Sequence, residues 1–264
     1  MAADGRSVLL EAFSATEFRY VHLIGGGGKT TLMFALAHAL ADTGHSVLTT
    51  TTTKIFEPEP SESDCVVFEP DAVRLVERLQ EAFALRRHVT AAARLAADGR
   101  KLEGLDVAAL DAVVDSRVAD HLLVEADGAA GRSLKAHTPH EPVVSARADL
   151  VIAVIGADCL GTPMDDEHVH RAGILRARLG RPEGALVTPE DVAGIVLHPD
   201  GYLARVRPIT RVFVFINKAG TAQAHEQARQ IGERLRQHDR AGRISRLIIG
   251  DVRERVFQVV RSTP

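Results

Sequence analysis

The chain has 264 residues, 45% hydrophobic and 25% charged, with a formal net charge of −3, a mixture that excludes whole-chain disorder. Its 32 basic and 35 acidic residues are evenly spread and it has no Trp, two Tyr and nine Phe, so nothing favours nucleic acid as a partner or a base-stacking platform. No apolar run approaches the roughly 20 residues of a membrane helix, the start Met1-Ala2-Ala3-Asp4-Gly5 lacks signal-peptide character, and Cys65 and Cys159 are too few for a disulfide framework or a Cys-based zinc site; a cytoplasmic protein away from membranes is expected.

In chain order, Tyr20 to Ile24 reads as a buried strand, and Thr31 to Leu40 puts Leu32, Leu36 and Leu40 on one helical stripe. Gly44 ends that helix and Ser46-Val47-Leu48 starts a second strand. Further strands are expected at Cys65 to Phe68, Leu122 to Glu125, Leu150 to Ile155, Val212 to Ile216 and Arg246 to Ile249. Helices are expected at Asp71 to Leu85, Asp106 to Ser116, Thr188 to Leu197, Ala222 to His238 and Val252 to Val260. Arg86 to Leu105 suggests an inserted hairpin, and Asp127 to Ser145 an irregular stretch. Apolar strands alternating with helices predict an α/β fold, a mostly parallel sheet flanked by helices. The run Gly25-Gly26-Gly27-Gly28-Lys29-Thr30-Thr31 between the first strand and helix resembles a P-loop, and that resemblance makes the expected architecture three-layer and P-loop NTPase-like, with insertions. One domain over residues 1–264 is the expected organisation, with room for a small inserted lobe at about 58–118.

The strongest local signal is Gly25-Gly26-Gly27-Gly28-Lys29-Thr30-Thr31, between an expected strand and an expected helix. Glycines let backbone N–H groups converge on an anion, and a helix N-terminus adds partial positive charge. Lys29 can reach β- and γ-phosphates and Thr30 can ligate Mg²⁺, so ATP or GTP with Mg²⁺ is the expected cofactor. Leu23 stands where the standard Walker A pattern has its first glycine. The spelling is closer to the loops of P-loop ATPases and GTPases that serve metal-centre maturation and protein targeting.

Leu122-Leu123-Val124-Glu125-Ala126-Asp127-Gly128 resembles a Walker B strand, whose carboxylates hold Mg²⁺ and polarise an attacking water. Glu125 and Asp127 alternate and so converge on one side; Lys29, Glu125 and Asp127 are the catalytic candidates, and Thr30 with Asp127 the metal pair. Spacing alone leaves the division between the two carboxylates open. Val212 to Lys218 resembles the guanine-binding strand end of GTPases, with Asn217 and Lys218 framing a base. Gly220 stands where those proteins carry the base-reading Asp, which leaves ATP against GTP open.

Two segments are candidates for a second substrate. Thr49 to Thr53 and Lys54 close the second strand, where Thr51, Thr52, Thr53 and Lys54 either face a ligand crevice or simply favour extended chain. Asp165-Asp166-Glu167-His168-Val169-His170-Arg171 either meets a second ligand or metal through His168 and His170, or uses its carboxylates to order Arg171 and cap the next helix.

The loop at 25–31, the Thr run ending in Lys54, Glu125-Ala126-Asp127-Gly128, the stretch Leu134-Lys135-Ala136 followed by Pro139-His140-Glu141-Pro142, and Asp165 to Arg171 occur in this order over about residues 20–220. Together they resemble the YqeC-like family of selenium-dependent hydroxylase accessory proteins, also called selenium cofactor biosynthesis proteins. The resemblance implies a nucleotide-binding P-loop protein that assists maturation of molybdenum hydroxylases, with such an enzyme or a selenium-containing intermediate as partner. A small-molecule kinase or other phosphoryl transferase, and a nucleotide-gated chaperone without significant turnover, are the alternatives.

Overall fold

Strands that are apolar at every position need cover on both faces, and that requirement organises this chain. The computed structural model describes residues 5–63 and 65–260. In chain order come α1 (Gly5–Phe13), β1 (Tyr20–Gly25), α2 (Lys29–Asp42), β2 (Val47–Thr51), β3 (Lys54–Phe56), β4 (Val66–Phe68) and α3 (Ala72–Phe83). They are followed by β5 (His88–Ala92), β6 (Arg94–Leu95), β7 (Lys101–Glu103), α4 (Val107–Ser116), β8 (His121–Glu125), β9 (Leu134–Lys135) and β10 (Leu150–Gly156). The remainder is β11 (Val169–His170), α5 (Ala172–Leu179), α6 (Pro189–Leu197), β12 (Arg211–Asn217), α7 (Ala222–His238), β13 (Arg246–Asp251) and β14 (Val256–Val260).

Nine strands form one sheet in the order β14-β13-β12-β10-β1-β8-β2-β5-β4. Every neighbouring pair is parallel except β13 and β14. Alternation along β1 sends Leu23 to one face and Ile24 to the other. Around Leu23, α1 and α2 supply Phe13, Leu32, Met33, Leu36 and Leu40. Around Ile24, Ile195, Ile231 and Leu235 of α6 and α7 pack with Ala153 and Val214. Further along, Leu75, Leu79, Leu110 and Val113 of α3 and α4 cover Leu48, Leu122 and Val124. Each fully buried Leu or Ile contributes about 1.5–3 kcal/mol, so this α/β/α stack is where the fold's stability resides.

The expected alternation is present, with one correction and several additions. Val252 to Val260 is not a helix: a turn with Arg255 at φ +55° leads into β14, antiparallel to β13. Val252, Val256 and Val259 fit a helical period, but β-branched residues also suit a strand, and pairing with β13 decides. Phe257 then reaches Phe13 of α1 at a ring distance of 5.9 Å, a contact far away in sequence. Within Arg86 to Leu105, β5 joins the central sheet between β2 and β4, and β6 and β7 form an antiparallel pair that continues onto β3.

The order places the site. From β1 the chain runs to β2 on one side, and it later returns to β10 on the other. The carboxyl ends of β8, β1, β10 and β12 therefore meet at a reversal of strand order, where ligand crevices form in open parallel sheets.

Candidate functional site

β1 ends at Gly25, whose φ of +95° turns the backbone out of the sheet. A Cβ there would stand 2.3 Å from the Val154 carbonyl oxygen and 2.6 Å from the Tyr202 ring, so no other residue fits. At Gly28, φ is +117° and a Cβ would stand 2.5 Å from Asn217 Nδ2. The loop's amides divide into two sets. Gly25 N–H donates to Asp127 at 2.8 Å, Gly26 N–H to Val154 O and Gly27 N–H to Arg132 O, each at 2.9 Å. Those three hold the loop in shape. The ladder of α2 opens with Leu32 N–H donating to Gly28 O at 3.0 Å. The N–H groups of Gly28 to Thr31 are therefore the ones the helix leaves to an outside partner.

Lys29 folds back beneath the loop, 4% exposed. Its ammonium donates to Gly25 O at 2.5 Å and lies 3.1 Å from Asp127 Oδ1 and 3.5 Å from Glu125 Oε1. Burial works against its charge, but Asp127 and Glu125 outweigh burial and hold its pKa above the ordinary lysine value. Both carboxylates converge on this lysine, as their alternation implies. Their other partners separate them. Glu125 Oε2 accepts from Thr30 Oγ1 at 2.6 Å, so hydroxyl and carboxylate stand together at the mouth of α2. Asp127 is fully buried and takes the Gly25 amide, Lys29, His137 and Lys135.

Sequence reasoning did not pick out the cluster behind Asp127. His137 Nε2 donates to Asp127 Oδ2 at 2.5 Å, while its Nδ1 is buried with no partner among the described residues. Burial holds the His137 pKa below the ordinary value despite the opposing pull of Asp127. Lys135, also fully buried, donates to Gly128 O at 2.6 Å and lies 3.4 Å from Asp127 and 3.6 Å from Glu141. Burial, only partly offset by these carboxylates, lowers its pKa. For Asp127, burial favours the neutral form, yet Lys29, His137 and Lys135 overcome it and keep the carboxylate ionised. Glu141 in turn pairs with Arg171. A chain of alternating charge thus runs from the buried Lys29, Asp127 and Lys135 out to the partly exposed Glu141 and Arg171. The signal in the sequence was the Leu134 to Pro142 stretch, whose Lys and His follow Asp127 by eight and ten positions.

A cavity of about 880 Å³ opens over the loop, with Lys29, Thr30, Glu125 and His170 on its wall. Lys54, Lys101, Arg132, Lys218 and Arg253 bring five more cations to the same wall. A second cavity of about 520 Å³, with Thr52, Thr53, Glu103 and Glu141, shares Lys54 and Gly128 with the first. Such a cationic crevice suits a polyanion.

The remaining candidates spread unevenly. Thr49, Thr50 and Thr51 are buried in β2, with Thr51 Oγ1 donating to Glu125 O at 2.8 Å and so bracing that strand end. Thr52, Thr53 and Lys54 reach the second cavity, where Lys54 pairs with Glu103 at 2.9 Å. Asn217 Nδ2 donates to Gly27 O at 2.8 Å and its Oδ1 accepts from Val252 N–H at 3.1 Å. Lys218 donates to Ser133 Oγ and Asp158 Oδ2 at 2.7 and 2.8 Å. In the acidic loop, Asp165 takes His168 at 2.7 Å, Asp166 accepts the Ala172 amide at the start of α5, and Glu167 is exposed. Only His170 of the two histidines lines the loop cavity. Among the described residues, no three His, Cys, Asp or Glu side chains are grouped to hold a metal ion. Cys159 is buried, which pushes its thiol pKa up.

Fold and loop together define an α/β protein of P-loop NTPase-like layout. The family model described as YqeC protein matches residues 21–173. The protein of Escherichia coli (strain K12) named "Uncharacterized protein YqeC" is 32% identical over 235 residues, which cover 89% of this chain and 88% of that relative. The chain belongs to the YqeC family.

Proposed function

We propose that this protein binds a nucleoside triphosphate with Mg²⁺ at the loop of residues 25–31 and acts as an accessory factor in maturing selenium-dependent molybdenum hydroxylases. The observation that carries the nucleotide reading is the helix mouth: four amides with no acceptor among the described residues, Lys29 and the Thr30–Glu125 pair all line one cationic cavity. The amides of Gly28 to Thr31 receive phosphate oxygens, and the dipole of α2 favours their charge. Lys29 leaves Asp127 for the phosphates.

Thr30 Oγ1 and Glu125 Oε2 are oxygen donors already side by side, which suits a hard cation. Asp127 keeps the Gly25 amide, His137 and Lys135 when Lys29 leaves it, whereas Glu125 Oε2 already stands beside Thr30 Oγ1 at the helix mouth, so Glu125 rather than Asp127 completes the metal shell. Bound Mg²⁺ would neutralise phosphate charge. Asp127 instead fixes the loop through Gly25 N–H. The accessory role rests on the family resemblance, and the client enzyme is its natural partner.

A second reading, phosphoryl transfer to a small acceptor, is favoured by the adjoining cavity at Thr52, Thr53 and Lys54. Calorimetric titration with Mg-ATP and Mg-GTP, followed by an ADP- and GDP-forming assay, tests both readings. Turnover in water alone supports an NTPase, acceptor-dependent turnover the transferase, and binding without turnover a nucleotide-gated chaperone. Absence of triphosphate binding to the wild-type chain refutes the proposal.

A further inference from the structure

Gly220 has no side chain with which to read a base, yet a carboxylate stands where that side chain would begin. Asp251 Oδ2 lies 3.0 Å, and Asp251 Cγ 3.4 Å, from the place a Gly220 Cβ would take. Asp251 closes β13, the parallel neighbour of β12. Ala219 N–H donates to Gly250 O at 3.0 Å and ties the two strand ends together. Next to Asp251, the Val252 amide holds Asn217, whose other end holds Gly27 O. Two hydrogen bonds thus link the Asp251 strand end to the loop, and Arg253, two positions further on, and Lys218 at the end of β12 line the loop cavity, with Asp251 just outside that lining.

Its two oxygens differ. Oδ1 accepts from the Arg253 and Glu254 amides at 2.9 and 3.2 Å and shapes the turn. Oδ2 accepts no hydrogen bond among the described residues, and the residue is partly exposed. A carboxylate carries about four acceptor sites, so two stay open on this one.

We propose that Asp251 reads the nucleobase at this site and selects guanine, an inference that rests on the nucleotide reading above. Guanine presents N1–H and the N2 amino group side by side, two donors that the two open lone pairs of Oδ2 take together with charge-assisted strength. Adenine presents a bare N1 in the same place, and its lone pair faces those of the carboxylate. The same group therefore attracts one base and repels the other. The reader comes from the strand beside β12 instead of from the segment after Lys218, which is why position 220 can be glycine.

The test measures dissociation constants for GTP, ATP and XTP, each with Mg²⁺, on the wild type, Asp251→Asn and Lys29→Ala. Asn keeps an oxygen for the Arg253 and Glu254 amides, and circular dichroism checks that the variant is folded. Wild type should bind GTP at least tenfold more tightly than ATP. Asp251→Asn should lose that preference and shift at least tenfold towards ATP, whose bare N1 accepts from the amide now in the place of Oδ2, while XTP, whose N1–H faces that amide, should bind no more tightly than ATP. Wild-type binding of GTP and ATP within threefold of each other, or an Asp251→Asn variant with unaltered base order, overturns the role of Asp251 alone. Wild type binding no triphosphate, and no better than Lys29→Ala, overturns the nucleotide reading and this inference with it.

Discussion

Lys29 Nζ and Asp127 Oδ1 face each other at 3.1 Å beneath the glycine-rich loop, the lysine nearly and the carboxylate wholly buried. A phosphate that takes Lys29 therefore takes a partner from Asp127, and Lys135 and His137 are the groups left to compensate it. Under the proposed function, binding at the loop would be linked through this pair to the charge balance of the interior.

Replacing Lys29 with Ala should weaken triphosphate binding at least tenfold, roughly 1.4 kcal/mol or more. It also leaves Asp127 and Glu125 without their shared cation, and breaking such a buried pair costs about 3–5 kcal/mol of stability. Calorimetry on the folded variant together with urea unfolding reads both effects. Unchanged affinity would remove the loop from the account.

The two carboxylates should fail in different ways. Asp127→Asn leaves Lys29 and Lys135 short of a buried counter-charge and should cost about 3–5 kcal/mol in urea unfolding. Glu125→Gln should leave the loop in place but raise the Mg²⁺ concentration needed for triphosphate binding at least tenfold, as a cation ligand would. Titrating Mg²⁺ at fixed nucleotide separates them; the reverse pattern would return the metal to Asp127.

Acid should act through buried histidines. His22 of β1 is fully buried with neither ring nitrogen partnered among the described residues, and burial pushes its pKa down to about 3. Because the folded pKa lies below the unfolded value near 6.5, the unfolded chain binds more protons between about pH 6.5 and about 3. Stability from this residue is complete above about pH 6.5 and is lost as pH falls, roughly 2 kcal/mol by pH 5. His137, lowered by burial, adds in the same direction. His22→Leu should flatten the decline in denaturant midpoint between pH 7 and 5; an identical slope would place the acid sensitivity elsewhere.

The histidines of the acidic loop should separate. His168 pairs with Asp165 at the surface, a contact worth at most about 1 kcal/mol, so His168→Ala should alter stability slightly and turnover not at all. His170 lines the loop cavity, and His170→Ala should reduce acceptor- or client-coupled turnover at least tenfold at a nearly unchanged melting temperature. Equal activities per folded molecule for both variants would make the whole segment a brace.

What the sequence revealed follows from where the information sits. β8, β10 and β12 announce themselves by unbroken apolar runs, β1 by one interrupted only at His22, and α7 by its period, because burial there is continuous along the chain. β5 did not: His88-Val89-Thr90-Ala91-Ala92 has little apolar bulk, and its place depends on Thr49 and Thr90 hydroxyls 2.8 Å apart across two strands. β14 fits two periods, and only its partner β13 selects one. Among the candidate residues, Lys29, Thr30, Glu125 and Asp127 meet because local motifs carry them. The Lys135, His137 and Tyr202 surroundings of Asp127 depend on folding together segments as far apart as the 67 positions between Lys135 and Tyr202.

Asn217 gives the loop a dependence on order in time. It clasps Gly27, 190 positions earlier, and is itself clasped by Val252. During synthesis, β1 and α2 emerge long before either partner exists, so the loop's carbonyl at Gly27 must wait for nearly the entire chain. A ribosome-held fragment ending before β12 would carry every glycine, Lys29 and Thr30, yet lack the strut that fixes them. The shape of the loop thus depends on two strand ends, those of β12 and β13, that are made long after the loop itself.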